Sequence, residues 1–490
     1  MPRSSNPRAR RSRDALSSRR KGPANSGVGS ALGGAGHDDL LAQLSGPDGV
    51  KGNLAALRLG QLGAGGARRS LEAALRAEDP RVRVGAASAL GTIGDVRSRS
   101  ALERSLSDAD RRVRAQAAYS LSQLHDCRST RLLAEHLGHD DSLLVQHACA
   151  LALGRTRDPR AIPALDAALR SDSDRIRREA LIALERCSDP GAATKALPFL
   201  DDPARRVRIA AALVLGWRRD PRGTGPLLSR LENSDPWERP ALVIALGKIG
   251  ASASAPALAA AANDPLPSVR VCAIHALGEM KSPDAASVAR LRSTDPEWSV
   301  RGAAGLALGR TGSRADVPVL LRLVTDRHPW PRRGAVYALG QLGAVESLPH
   351  IRQALDDIDP EVQLASVWAL GELRDLEAGE RLTEMLRDRR PQNVLLAPTI
   401  ARREGAVRLV SDADARMFDA LIQAVGSIAL VSRDPATIAA LTETEHELSA
   451  AELQRPARLP VSIGRGDDPP PLRELFTRIW SRLEQEGTSH

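Results

Sequence analysis

The chain has 490 residues, of which 42% are hydrophobic and 26% are charged, and its formal net charge is +9 at pH 7. It contains no apolar run long enough to cross a bilayer, so we expect no membrane span. Its four cysteines are scattered, which argues against a disulfide framework and favours a reduced, cytoplasmic protein: Cys127, Cys149, Cys187 and Cys272.

Residues 1–36 form a basic tail. They contain eight Arg or Lys residues and one Asp, a net charge of +7, so residues 37–490 carry only +2. The tail is polar and has no hydrophobic run, so we expect it to be disordered and not to be a secretory signal. Two interpretations stay open: a dispensable solvated segment, or an electrostatic arm for an anionic partner such as nucleic acid, anionic lipid or an acidic protein.

Residues 37–375 repeat with a period of 31 residues. One leucine, which we call the landmark of its repeat, returns at this interval, with a single interval of 32: Leu59, Leu90, Leu121, Leu153, Leu184, Leu215, Leu246, Leu277, Leu308, Leu339 and Leu370. A fixed period of this size indicates a solenoid of stacked units rather than a compact globule.

The residues around each landmark predict one helix, helix B. An aspartate often followed by proline precedes it, as in Asp79-Pro80 and Asp264-Pro265, and we interpret these aspartates as N-caps. A glycine usually follows the landmark, as at Gly60 and Gly91, and we interpret it as the left-handed residue that ends the helix. The stretch before each aspartate has leucines three or four residues apart and predicts a second helix, helix A.

Two columns of helix B indicate how the repeats pack. Small residues, mostly alanine, lie one and four positions before the landmark, where they let neighbouring helices approach each other. Arginines lie seven positions before it, interrupted by Gln146 and Gln363: Arg83, Arg114, Arg177, Arg208, Arg239, Arg270, Arg301 and Arg332. This position lies beside the leucine face and aspartates accompany it, so we favour a structural Arg–Asp ladder over a phosphate-binding stripe.

The recurring pattern D-P-x-V-R-x-x-A-x-x-A-L-G, over roughly residues 45–375, resembles the short HEAT-like repeats that also occur in phycobilin lyases. The resemblance implies an all-α fold, a right-handed α-solenoid of about twelve two-helix HEAT-like repeats. It implies little about function, because that family includes scaffolds, chromophore lyases, DNA glycosylases and an iron hydroxylase.

A surface for a partner is predicted from the positions that point away from the leucine face, two, six and nine before the landmark. In a HEAT-like solenoid this is the concave side. Six of the eleven aromatic residues fall two or nine to ten positions before a landmark. The candidate partner-binding residues are Trp237, His275, Trp298, Trp330, Tyr337 and Trp368. Clustered aromatic side chains are typical anchors for a partner, although they could instead only fill the inner curve between helices.

The 31-residue period becomes irregular after Leu370. We predict irregular repeats with an insertion over residues 376–450, the next landmark at Val425-Gly426, and a Pro/Gly linker over residues 451–470. Residues 471–486 predict an amphipathic helix, interpreted as a cap on the solenoid or as a docking helix. Its apolar stripe consists of Leu472, Leu475, Phe476, Ile479, Trp480 and Leu483.

No catalytic motif stands out. The sequence lacks a phosphate loop, a nucleophile elbow and a zinc-protease pattern. The His- and Cys-rich segment 125–149 is too extended for one ion, because the mostly helical stretch from Cys127 to His139 spans ~15 Å. The iron hydroxylase of the family uses several His-Glu pairs, and only His446-Glu447 occurs here. We therefore expect no catalytic residue, metal site or cofactor.

Three functions remain. The leading hypothesis is a non-enzymatic scaffold or adaptor that binds a protein or peptide along the concave face. The second, which the resemblance permits, is a tetrapyrrole (bilin) lyase or chromophore chaperone, with the chromophore near His275, Tyr337 and Trp368. The third is binding of nucleic acid or an acidic partner through residues 1–36.

Overall fold

The computed structural model describes residues 34–388 except 47 and 64, residues 412–447 except 433, and residues 474, 476–479, 481 and 482. Most of the basic tail, most of the insertion after residue 388 and the predicted linker 451–470 lie outside the described residues. The chain divides into two compact units, residues 1–168 and residues 169–490.

The first unit contains nine helices within its described residues. In chain order they are α1 (Gly34–Leu44), α2 (Gly49–Gln61), α3 (Arg68–Ala74), α4 (Pro80–Ile93), α5 (Arg99–Ser105), α6 (Arg111–Gln123), α7 (Thr130–His139), α8 (Leu143–Thr156) and α9 (Ile162–Ala168). Short 3₁₀ turns precede most of the odd-numbered helices.

The second unit continues the same alternation. Its described helices are α10 (Asp174–Arg186), α11 (Ala192–Ala196), α12 (Arg205–Trp217), α13 (Thr224–Glu232), α14 (Arg239–Ile249), α15 (Ala255–Ala261), α16 (Pro267–Glu279), α17 (Ala285–Arg292), α18 (Trp298–Thr311), α19 (Val317–Val324), α20 (Pro329–Gln341), α21 (Leu348–Gln353), α22 (Pro360–Glu372), α23 (Gly379–Asp388), α24 (Asp412–Ser432) and α25 (Pro435–Glu447).

Even-numbered helices from α2 to α24 are the helices B, and the odd-numbered helix before each is its helix A. Every regular element among the described residues is helical, and each unit is a stretch of α-solenoid. The prediction of an all-α solenoid of about twelve two-helix repeats is confirmed.

The core of each unit lies between helices. Consecutive helices B pack side by side, and each also packs on a helix A. The landmark leucines are buried, as are the alanines one and four positions before them, for example Leu308, Ala307 and Ala304 in α18. Burial of a leucine stabilises the fold by ~2 kcal/mol, so a column of buried leucines is the main source of stability along the array.

The interpretation of the glycine after the landmark is wrong, because that glycine lies inside helix B. The left-handed residue lies four positions after the landmark, as at Gly94 with φ 69° and at Arg157 with φ 52°. The glycine next to the landmark instead permits a close helix contact. A Cβ atom built on Gly216 would lie 2.8 Å from the Cα atom of Ala245 in the next helix B.

The aspartates before helix B occupy two registers, which the sequence analysis merged. The aspartates that lie eleven residues before the landmark cap the helix. The Asp79 carboxylate accepts a hydrogen bond from the N–H of Arg81, and the Asp359 carboxylate accepts one from the N–H of Glu361. The aspartates that lie thirteen residues before the landmark, such as Asp264 and Asp295, do not cap the helix. They form ion pairs with the arginine of the preceding repeat.

The C-terminal repeat keeps the packing of the regular array. A Cβ atom on Gly371 would lie 2.7 Å from the Cα atom of Ala424 in α24, which places Val425 at the landmark position. Of the predicted apolar stripe, Phe476 and Ile479 are described and buried, and Ile479 lies against Gly426. The rest of that stripe lies outside the described residues, and the capping role stays a prediction. No helix in the described part of the chain has the length and apolar character to span a bilayer.

Candidate partner-binding face

Helices B of the second unit have a side that is less buried than the rest, although in α18 the equivalent Gly302 and Leu306 are covered. In α16 the landmark and its small neighbours are buried, whereas Ser268, Val271, His275 and Glu279 are exposed or half-buried. These four residues lie nine, six and two positions before the landmark and two after it, on one side of the helix. The B face is the surface formed by these positions and the residue ten before the landmark, in helices α10–α22 and in the turns that directly precede them.

Three tryptophans on the B face are open to solvent. Trp237, in the turn before α14, is 70% exposed, and its backbone N–H donates to the Asp235 carboxylate over 2.8 Å. Trp298 at the start of α18 is 40% exposed, and Trp217 at the end of α12 is 42% exposed. Trp217 was not among the residues predicted from the sequence, although its place two residues after the landmark puts it on the same side of the helix as the other candidates.

Trp330 is held in a notch between two helices. A Cβ atom built on Gly302 of α18 would lie 1.7 Å from Cδ1 of Trp330, so the indole ring occupies space that only glycine leaves free. The Arg333 guanidinium lies 4.4 Å from the centre of the Trp330 ring. Trp330 is therefore a packed part of the B face rather than a free anchor.

The remaining candidates are half-buried between helices. The rings of Tyr337 and Trp368 lie 5.1 Å apart at an angle of 49°. Burial raises the pKa of Tyr337 to about 12. Burial and the nearby Arg310 guanidinium lower the pKa of His275. Both side chains are therefore uncharged at neutral pH and offer a partner apolar area and hydrogen-bonding groups.

The arginines seven positions before the landmark are engaged in ion pairs between repeats. In α18, Arg301 donates to both carboxylate oxygens of Asp326 over 2.6 and 2.8 Å. It also donates to the carbonyl oxygens of Asp295 and Pro296 over 2.9 and 3.0 Å. The equivalent pairs in each unit are Arg83–Asp108, Arg114–Asp140, Arg177–Asp202, Arg208–Glu238, Arg239–Asp264, Arg270–Asp295 and Arg332–Asp357.

The ladder carboxylate of Asp326 is held in the charged form. Burial by itself would raise the pKa of Asp326, but the hydrogen bonds from Arg301 and from the N–H of His328 lower it below its ordinary value. The side chains of Arg301 and Asp326 are only 11% and 10% exposed. With its donors committed and its surface covered, such an arginine is poorly placed to bind a phosphate group.

The two glutamines in this column keep one of the arginine's four hydrogen bonds. Gln146 donates to the carbonyl oxygen of Asp140 over 2.7 Å, and Gln363 donates to that of Asp357 over the same distance. Both therefore close the turn between helices A and B of their own repeat. Neither carries the charge needed for an ion pair to the next repeat.

A second set of contacts, which the sequence analysis missed, joins the turns between helix B and the following helix A. Nε of Arg68 lies 3.5 Å from Oδ2 of Asp95, and Nε of Arg99 lies 3.4 Å from Oδ2 of Asp126. The signal was an Asp-x-Arg triplet at these turns, as in 126–128, where the Asp126 carboxylate accepts from the Arg128 N–H. These arginines also belong to the scaffold.

The His- and Cys-rich segment does not assemble a metal centre. Nδ1 of His136 lies 3.3 Å from Oδ2 of Asp140, which also pairs with Arg114. Cys149 is buried, and burial raises the pKa of its thiol. Across the described ranges, no group of three or more His, Cys, Asp or Glu side chains is placed to hold a metal ion.

The sequence profile of HEAT repeats matches this chain in eight overlapping segments that together run from residue 38 to residue 401: 38–122, 105–185, 165–239, 193–266, 224–290, 258–336, 288–359 and 322–401. The chain belongs to the HEAT-repeat family. No curated protein matches the sequence of this HEAT-repeat chain.

Solved structures resemble the HEAT-repeat chain in fold. Importin β, crystallised in ammonium sulfate, has 12% identity and a TM-score of 0.50, over 91% of this chain and 68% of that chain. Yeast importin-β (Kap95p) has 14% identity and a TM-score of 0.49, over 91% and 67%. The complex of CpcE and CpcF of phycocyanin lyase from Nostoc sp. PCC7120 has 27% identity and a TM-score of 0.33, over 46% and 92%.

Proposed function

We propose that this HEAT-repeat chain is a non-enzymatic scaffold or adaptor that binds a protein partner along the B face of its second unit. The observation that carries the proposal is the exposure of Trp217, Trp237 and Trp298 on the B face. Tryptophan is among the residues most enriched at the centres of protein interfaces. Exposed apolar patches on a soluble surface mark sites of interaction.

The packed aromatic residues support the same function in a different way. Trp330 in its notch and the Tyr337–Trp368 pair form a fixed apolar surface beside the exposed rings. Side chains already held in place lose little conformational entropy when a partner binds, so a prearranged surface contributes more of its contact energy to affinity. The repeat architecture also suits an extended partner, because stacked repeats present a continuous binding surface.

Site-specific photocrosslinking tests the proposal. The photoreactive amino acid p-benzoyl-phenylalanine replaces Trp237 or Trp298 in the full chain, and crosslinked proteins from the native host are identified by mass spectrometry. The matched control replaces Leu291, which is 63% exposed on the helix A α17. We expect one protein to be captured from both tryptophan positions and not from the control.

The captured partner is then purified and titrated against the full chain. Trp237→Ala with Trp298→Ala should weaken binding by about 2–4 kcal/mol, the usual range for interface hot spots, with no change in helical circular dichroism. Leu291→Ala should leave the affinity unchanged. Equal capture from all three positions, or an affinity that the double variant leaves intact, would refute the proposed face. Saturable binding of a linear tetrapyrrole without any protein partner would instead support the chromophore hypothesis.

A further inference from the structure

The B face becomes strongly basic where the second unit begins. Helices α10 and α12 expose five arginines on or next to the strip that carries the tryptophans in later repeats: Arg175, Arg178, Arg186, Arg205 and Arg206. Arg175 and Arg206 occupy the position nine residues before the landmark, which Trp237 occupies in the following repeat. The basic and aromatic parts of the B face are therefore adjacent.

These arginines differ from those of the ladder in exposure. The side chains of Arg205 and Arg206 are 51% and 52% exposed, whereas the ladder side chain of Arg177, on the neighbouring helix, is 12% exposed. Arg206 lies 3.0 Å from Asp174, and Arg205 lies 3.6 Å from Asp235. Ion pairs this exposed are weak, so the guanidinium groups can exchange their carboxylate for one from a partner at little cost.

The arginines border a concave site. A cavity of about 510 Å³ lies between α10 and α12 and is lined by Asp174, Arg178, Ala204, Arg205, Arg206 and Ile209. Its floor includes the apolar Ile209 as well as the charged side chains. A cavity of this volume is large enough for one or two side chains of a bound peptide.

The cavity and the exposed tryptophans share contacts. Asp235, which pairs with Arg205, also accepts the backbone N–H of Trp237 over 2.8 Å. Along α12, Ile209, Leu213 and Trp217 are four residues apart and follow one side of the helix from the cavity to the exposed indole ring. The surface thus offers positive charge, a cavity and two aromatic rings within three consecutive repeats.

From this juxtaposition we infer that the partner segment bound at α10–α14 is an acidic peptide with an apolar anchor, its carboxylates on Arg178, Arg205 and Arg206 and its apolar side chain against Trp217 and Trp237. The inference rests on the proposed function and specifies its partner chemistry. Arginine suits the role because its planar guanidinium binds a carboxylate through two parallel hydrogen bonds.

A nucleic acid fits the same surface less well. Asp174 and Asp235 stand among the arginines and would face a continuous row of phosphates. Residues 37–490 carry a net charge of only +2, whereas nucleic-acid binding draws on many uncompensated cations. A peptide can place its carboxylates against the arginines and its apolar side chains against the tryptophans, and can avoid Asp174 and Asp235.

Fluorescence anisotropy with defined probes tests the inference on the full chain. Three fluorescein-labelled peptides of equal length alternate a Leu-Phe pair with a pair of Glu, Gln or Lys, and the fourth probe is a single-stranded oligonucleotide with the charge of the Glu peptide. The variant is Arg205→Glu with Arg206→Glu. The control is Arg322→Glu with Arg327→Glu, which makes the same charge change at two exposed arginines on or after α19.

We expect the Glu peptide to bind most tightly and the Arg205→Glu, Arg206→Glu variant to lose about tenfold in affinity at low salt, with the control within about twofold. Raising the salt concentration should remove most of this difference, because the charges are exposed. Should the charge reversal unfold part of the chain, Arg178→Gln gives the same comparison with a smaller loss.

The remaining outcomes separate this inference from the proposed function. Equal binding of the Glu and Gln peptides, or a reversal variant that binds like the control, would overturn the acidic-peptide inference and leave the aromatic face as the docking surface. Tighter binding of the oligonucleotide than of the Glu peptide would indicate that the partner is a nucleic acid and would overturn the acidic-peptide inference. If no peptide binds while Trp237 still crosslinks a protein, the acidic inference fails and the proposed function stands.

Discussion

Replacing Arg301 by Gln should break one rung of the Arg–Asp ladder without disturbing the leucine core. Arg301 makes two hydrogen bonds to Asp326 over 2.6 and 2.8 Å and two to the carbonyl oxygens of Asp295 and Pro296 over 2.9 and 3.0 Å. Glutamine occurs naturally at this position of other repeats, where it keeps one carbonyl contact, as Gln363 does over 2.7 Å. The substitution therefore removes the ion pair and one of the two carbonyl hydrogen bonds.

The expected cost follows from burial. Removing one partner of a fully buried ion pair costs ~3–5 kcal/mol, because the other charge is left uncompensated. The two side chains are 11% and 10% exposed, and Asp326 keeps the hydrogen bond from the His328 N–H, so we expect Arg301→Gln to cost about 2–3 kcal/mol. Arg301→Ala should cost about 1 kcal/mol more, because the carbonyl oxygen that glutamine still reaches also loses its donor.

Urea unfolding followed by circular dichroism, with hydrogen exchange of the α18 and α20 amides, measures this cost. A double-mutant cycle with Asp326→Asn should give a coupling energy of about 1–2 kcal/mol. The control is Arg222→Gln, because Arg222 is 60% exposed and pairs only with Asp220 in its own turn, so its loss should cost at most ~0.5 kcal/mol. A coupling energy near zero, or equal costs at positions 301 and 222, would refute the ladder argument.

Three further predictions follow from burial and charge. Gly302→Ala should lower the free energy of unfolding by about 1–3 kcal/mol, because the new Cβ atom would lie 1.7 Å from the indole ring of Trp330. The displaced ring should become more exposed to solvent, seen as a red shift in tryptophan fluorescence. Gly138→Ala, where no atom lies within 4 Å, should stabilise the chain slightly, and equal effects at the two positions would contradict the close packing of Trp330 on Gly302. The hydrogen bonds from Arg301 and from the backbone, acting against burial, leave the pKa of Asp326 below 3.8, so its contribution is fully present above pH ~4 and is lost as the pH falls through the lowered value. Asp326→Asn should therefore flatten the stability profile below pH ~4, and an unchanged acid slope there would count against it. In the native chain iodoacetamide should modify the exposed Cys127 quickly and leave the buried Cys149 and Cys187 unmodified until urea is added. Mass spectrometry of the digested protein measures the labelling of each cysteine. Early labelling of Cys149 would mean that helix α8 opens locally.

The sequence by itself determined the architecture. A period of 31 residues, a leucine in each repeat and small residues one and four positions before it are enough to predict stacked helix pairs, because a repeat that cannot bury its own apolar face must pack against its neighbour. The register also extends to α24, where Ala424 and Val425 take the places that the regular repeats assign to alanine and leucine. Periodicity is a local property of the chain and can be read without coordinates.

Only the tertiary structure decided what individual side chains do. Asp79 and Asp295 both precede a proline, two positions apart in the period, yet Asp79 caps its helix and Asp295 pairs with Arg270 of the preceding repeat. Trp237 and Trp330 occupy equivalent positions in the period, yet Trp237 stands in solvent while Trp330 fills the space above Gly302. Burial and pairing of a side chain depend on the residue that the adjacent repeat places against it, about 30 positions away, and only packing of the two helices brings that residue within reach.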